Sequence, residues 1–129
     1  MSVAQSRPDF AAHTKAVRAS FPEVVSALRT VLGARLVAYL GSVGETRAVR
    51  QWADGDREPS QEVRTRLRVA LQVALPLADA DSPQIAQAWF QGLNPQLNDR
   101  SPARILREGE LEEVGPAVIA AARAFLIGG

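Results

Sequence analysis

Residues 87–114 read QAWFQGLNPQLNDRSPARILREGELEEV, and their punctuation decides the fold. An apolar helix finishes at Ala88-Trp89-Phe90. Ser82-Pro83 opens it, with serine as N-cap and proline at the first helical position, and Gly92 closes it. Leu93-Asn94-Pro95-Gln96-Leu97-Asn98 reads as a loop, because a residue before proline is pushed away from the helical region. Ser101-Pro102 then opens a second short helix through Ala103, Ile105 and Leu106, which Gly109 ends. Helices this short are marginal in water alone. They need a third element over their apolar sides, and residues 111–127 supply it. The expectation is an all-α chain that ends in a compact helical cap.

Upstream, Ser20-Phe21-Pro22-Glu23 has the form of a capping box, and Val24, Val25, Leu28, Val31 and Leu32 follow on one helical stripe up to Gly33. A short helix with Leu36, Val37 and Leu40 facing inward leads to Gly41-Ser42-Val43-Gly44, a turn whose two glycines are able to take positive φ. Residues 45–53 form the next helix, stopped at Asp54-Gly55. Helix, glycine-containing turn and helix within some twenty residues is the helix-turn-helix layout. Val49 and Trp52 face inward, which leaves Thr46, Arg47, Arg50 and Gln51 on the other side. Base reading needs such a face: arginine donates twice to guanine, glutamine pairs with adenine, and threonine meets a phosphate or a thymine methyl. Glu45, Asp54, Asp56 and Glu58 nearby would repel phosphate. The plainer alternative is a solvated helix face that happens to hold two arginines.

Ser60 caps a longer helix with Val63, Leu67, Ala70, Leu71 and Ala74 on one stripe. Glu62 and Arg66 are spaced to pair on its outside, and Arg64 and Arg68 add a basic edge. Pro76 is expected to kink or end this helix, with residues 77–81 as the boundary between two parts. Three segments result: residues 1–19, partly mobile; residues 20–78, the DNA-binding-like part; and residues 79–129, the cap. The connector is short, so the two parts should pack together. In the last helix Glu110, Glu112 and Glu113 suit the positive end of the dipole, Gly115-Pro116 is expected to kink or restart it, and Val118, Ile119, Ala122, Phe125 and Leu126 form the apolar stripe.

Composition excludes several classes. There is no cysteine and one histidine, His13, which leaves no zinc site of the usual kind. No run of about 18 apolar residues is present, so no membrane span or membrane partner is expected. The first residues lack an apolar signal core, which fits a cytoplasmic protein. Residues 1–78 carry 11 Lys and Arg against 7 Asp and Glu, whereas residues 79–129 carry 4 against 7. A basic front and an acidic back suggest different partners, with nucleic acid at the front, although charge scatters this unevenly in many soluble domains. No nucleophile–histidine pair, phosphate loop or metal-ligand set is found, so neither an enzyme nor a cofactor is expected.

Trp89, Asn94-Pro95-x-Leu97, Ser101-Pro102, Leu106, the Gly109-Glu110 step and the closing apolar helix together resemble the toxin-binding domain of Xre/MbcA/ParS-type antitoxins over the last fifty or so residues. Val49-x-x-Trp52-x-x-Gly55 followed by Pro59 is similar, more loosely, to the end of the recognition helix in Xre-type repressors. The resemblance implies an Xre-like helix-turn-helix followed by a small toxin-binding domain. It also implies a RES-domain toxin, which degrades NAD, as protein partner, the operon's operator DNA as second partner, and a homodimer or a toxin–antitoxin hetero-oligomer. Antitoxins of this family press their C-terminal region over the toxin's active-site entrance. That makes Phe125, Leu126, Ile127, Gly128 and Gly129 candidate toxin contacts, together with Arg100, Arg104 and Arg107. Phe125 and Leu126 would otherwise complete the core, Arg104 and Glu108 would otherwise be a simple i, i+4 pair, and Trp89 and Phe90 fit a core better than a contact. Three large apolar residues and two glycines at residues 125–129 are unusual for a terminus and suit insertion into a pocket. The alternative function is a helix-turn-helix regulator without a toxin partner, its cap used for dimerisation.

Overall fold

Serine caps start four of the helices. In a computed structural model, which describes residues 19–128, the Ser20 hydroxyl accepts from the Glu23 amide at 3.3 Å while the Glu23 carboxylate accepts from the Ser20 amide at 2.8 Å. The capping box therefore closes as its residues require, and α1 runs Phe21–Leu32. Most of the segment expected to be partly mobile, and Gly129, lie outside the described residues. One residue, Gly33, separates α1 from α2 (Ala34–Leu40); its φ of 87° turns the chain sharply and is strained for any side chain. After residues 41–45 comes α3 (Thr46–Asp54), ended by Gly55 in the left-handed region. Ser60, Ser82 and Ser101 each accept from the amide three residues on and open α4 (Gln61–Ala80), α5 (Pro83–Gln91) and α6 (Pro102–Glu108). A short 3₁₀ turn, Pro95–Leu97, stands between α5 and α6, and α7 (Leu111–Gly128) closes the fold. The described residues form seven α-helices and no strand, so the chain is all-α.

One continuous apolar core runs through the molecule. Val24, Val25 and Leu28 of α1, Leu67 and Leu71 of α4, Phe90 of α5, Leu106 of α6 and Val118 of α7 all belong to it. The central helix α4 packs against α1, α5 and α7, and α5 packs on α1 as well. Side chains also reach across to backbone carbonyls of distant segments. Gln87 of α5 donates to the Val31 carbonyl at 2.9 Å, and Arg68 of α4 donates to the Ala19 carbonyl at 2.8 Å. The expected packing of front on back is thus found.

Several local expectations need correction. Pro76 does not end its helix, so residues 77–80, read as connector, are the last turn of α4. The Pro76 ring is buried and lines a narrow crevice with Val73, Ile119 and Leu126, so it packs on α7; that burial offsets the backbone bond it cannot make. Pro116 likewise lies inside α7 rather than restarting it. The residue before it is Gly115, which has no Cβ to clash with the proline ring, and the break falls close to the helix start, with exposed Glu112 four residues earlier. In the turn at residues 41–44, positive φ falls on Ser42 (60°), while Gly41 sits at −83°. Gly41 is needed for another reason: a Cβ there would lie 2.8 Å from two ring carbons of Trp52.

Candidate functional site

Two faces concentrate the exposed chemistry, and they differ in kind. The first is the outer side of α3. Val49 and Trp52 are buried, and Trp52 packs edge-tilted against Phe21 with ring centroids 6.3 Å apart. That orientation leaves Thr46, Arg47 and Arg50 exposed and Gln51 half-buried, as the spacing requires. Arg47 and Gln51 line an open concavity of about 550 Å³ with Glu45 and Arg57. Arg57 was not anticipated: it donates to the Gln51 side-chain carbonyl at 3.3 Å, so it adds a guanidinium to this face and occupies one of glutamine's two recognition groups. Glu58, expected to repel phosphate, pairs with Arg64 at 3.4 Å, and Arg64 also donates to the Pro59 carbonyl at 2.8 Å. Glu45 is the N-cap residue of α3, but its side chain makes no capping bond to the first amides.

Behind this face lies Arg66, read from the sequence as half of an outward ion pair. It is instead the one buried charged side chain among the described residues, with the Glu62 carboxylate 3.5 Å away at the solvent edge. Its Nη1 donates to the Leu40 carbonyl at 2.8 Å and to the Ser42 hydroxyl at 3.2 Å. Burial lowers its pKa from the ordinary value; Glu62 opposes that effect and the neighbouring Arg107 adds to it. No local pattern marks this residue, because its partners lie more than twenty positions away.

The second face surrounds the end of α7. Leu93, Phe125 and Ile127 are the exposed large hydrophobics among the described residues, at 76%, 37% and 88% exposure. A groove of about 480 Å³ runs between the 93–96 loop and α7, with Trp89, Leu93, Pro95, Phe125 and Gly128 in its walls. The loop is held by its own bonds: the Asn94 side chain accepts from the Gln96 amide at 2.9 Å, Asn98 and Asp99 take left-handed φ, and Leu97 is buried beneath. Trp89 and Phe90 meet edge to face at 5.5 Å and belong to the core, although the rim of Trp89 reaches the groove. Leu126 is half-buried in the seam against α4, so it serves packing where Phe125 does not. Leu93, by its neighbours only a loop residue, is among the most exposed apolar side chains of the described residues.

The three arginines stand apart from this groove. Arg100 turns back onto its own loop, its Nε 3.4 Å from the Leu97 carbonyl. Arg104 pairs with Glu108 at 3.2 Å, the plain i, i+4 alternative. Arg107 is half-buried and lies over the Tyr39 ring of α2, 4.5 Å from its centroid, a cation–π contact rather than a free surface charge. Among the described residues no helix is long and apolar enough to cross a membrane, and no cluster of metal-binding side chains occurs.

The chain is therefore an all-α protein with one cationic, hydrogen-bonding face and one apolar face. Comparison with protein-family models, with curated proteins and with solved structures finds no match in any of the three.

Proposed function

We propose that this chain is the antitoxin of a type II toxin–antitoxin pair. Its α7 face covers the active-site entrance of a RES-type, NAD-degrading toxin, and its α3 face binds the operator of its own operon. One observation carries the reading: every exposed large hydrophobic side chain among the described residues lies on the last turns of α7 or across the groove from them. Apolar groups left in water at one end of a molecule mark a protein-contact surface. Leu93, Phe125 and Ile127 are the anchors of that contact. Inhibition is steric and asks no chemistry of this chain.

The α2-turn-α3 arrangement, with Thr46, Arg47 and Arg50 exposed beside Arg57, supports the second half of the reading. The first amides of α3, which Glu45 does not cap, add donors suited to a phosphate. An Xre-like helix-turn-helix is the corresponding class of DNA reader.

Co-expression with a RES-domain toxin tests the first half. Wild type restores growth, whereas the double variant Leu93→Ser, Ile127→Ser folds but fails to rescue. Rescue by that variant, or continued toxicity with wild type, overturns the antitoxin reading; the second result would leave a regulator whose apolar face serves dimerisation. For the operator, Arg47→Ala with Arg50→Ala should lose at least about tenfold in gel-shift affinity and flatten its salt dependence. Wild-type binding by that double variant sinks the α3 assignment.

A further inference from the structure

The turn that joins α2 to α3 is gripped from two sides. Above it, Gly41 lies against the Trp52 ring so closely that no side chain fits between them. Below it, Nη1 of Arg66, a residue only 6% exposed, donates to both the Leu40 carbonyl and the Ser42 hydroxyl. Leu40 is the last residue of α2, where backbone carbonyls have no helical donor and carry the negative end of the dipole. Ser42 is the residue of this turn with a left-handed φ. One fixed cation thus caps the outgoing helix and ties down the residue that redirects the chain toward α3. Guanidinium suits the task because it remains charged at any working pH and presents donors in a rigid fork.

We infer that Arg66, itself buried, is the positioning residue of the α3 surface: by holding Leu40 and Ser42 together it sets the angle at which Thr46, Arg47 and Arg50 leave the molecule. The functional consequence rests on the DNA-binding reading of α3; the geometric one does not. Arg66→Met keeps an unbranched apolar stem but ends short of the guanidinium and removes every donor, leaving the Leu40 carbonyl buried and unpaired. Arg66→Lys keeps a charge and N–H donors on one nitrogen but lacks the reach and planar fork of the guanidinium, so it restores part of the clamp.

The test uses the full chain and two readouts. Amide hydrogen exchange reports the turn directly, through the amides of Ser42 and Val43, which donate to the Tyr39 and Ala38 carbonyls. A buried acceptor stripped of its donor corresponds to about 10- to 100-fold in local opening, so Arg66→Met should accelerate exchange in residues 42–50 by that factor and leave α5 and α7 unchanged. Arg66→Lys should fall between the two. A duplex containing the sequence upstream of this chain's own reading frame gives the second readout: affinity drops by about tenfold in Arg66→Met and recovers in part in Arg66→Lys. Acceleration spread evenly over all helices, or none in the turn, overturns the clamp, and if Arg66→Met does not fold, the same pattern is read in Arg66→Lys. Unchanged DNA affinity with a loosened turn overturns the positioning role. A wild-type chain that ignores the duplex refutes the DNA reading alone, and exchange still decides the clamp.

Discussion

At the front of the molecule, α1 to α4 bury their large hydrophobic side chains and turn arginine, threonine and glutamine outward; at the back, α5 to α7 leave Leu93, Phe125 and Ile127 in water. The two ends sit on the same core, so the contrast does not arise from one half being better folded than the other. It lies in what each exposed face can bind. A face of guanidinium and hydroxyl groups gains by displacing counterions and by directional hydrogen bonds. An apolar face gains only by being covered by something that excludes water. The charge asymmetry between residues 1–78 and 79–129 follows the same division.

The shared core is the part of this contrast most open to attack. Trp52 in front and Phe90 at the back are both fully enclosed, and replacing either by alanine should cost about 3–5 kcal/mol. Urea unfolding followed by circular dichroism should show one transition shifted in both variants. Two transitions, each sensitive to one variant only, would separate the halves and break the comparison.

Close approaches at glycine come next. Gly41→Ala in front meets the Trp52 ring, and Gly109→Ala at the back would place its Cβ 2.6 Å from Val114 Cγ1. Each should destabilise by about 1–3 kcal/mol, whereas Gly44→Ala, with open space around it, should stay within about 0.5 kcal/mol. Thermal melting distinguishes them. A Gly41→Ala protein as stable as wild type would mean that the turn yields easily and that α3 is not rigidly presented.

Caps test whether both ends obey the same local rules. Ser60→Ala at α4 and Ser101→Ala at α6 should each lose about 1 kcal/mol in denaturant titration, since each removes a bond to an otherwise unpaired amide. The smallest effect belongs to Arg104→Ala. Its pair with Glu108 is exposed on both sides, so stability should change by less than about 0.5 kcal/mol. A larger loss would show that this arginine holds the back half together rather than decorating it.

These caps were also the most legible features in the sequence. Ser20 with Glu23, and the serines at 60, 82 and 101, act on amides three residues away, so the signal and its partner lie in the same short window. Trp52, Val49 and the α3 outer face followed from helical periodicity for the same reason. Pro76 does not end its helix and Pro116 does not restart one, because proline's local penalty can be outweighed by packing or by its place near a helix start, neither of which is visible in the adjoining residues. Arg66 and Arg107 were misplaced on the surface because their partners, Leu40, Ser42 and Tyr39, are distant in the chain. Leu93 carries no local signal, since a leucine in a loop is ordinary; its meaning comes only from Phe125 across the groove.

The helix α4, at 20 residues, spans roughly 30 Å and packs against helices of both ends of the molecule. Anyone wishing to transplant the hydrophobic end onto a different front half would have to carry this rod across with it. A cut after residue 78 would strip Pro76 and Leu77 of the neighbours that shelter them, and neither fragment would hold its shape. Swapping partners in this fold is therefore a matter of repainting surfaces, not of exchanging modules.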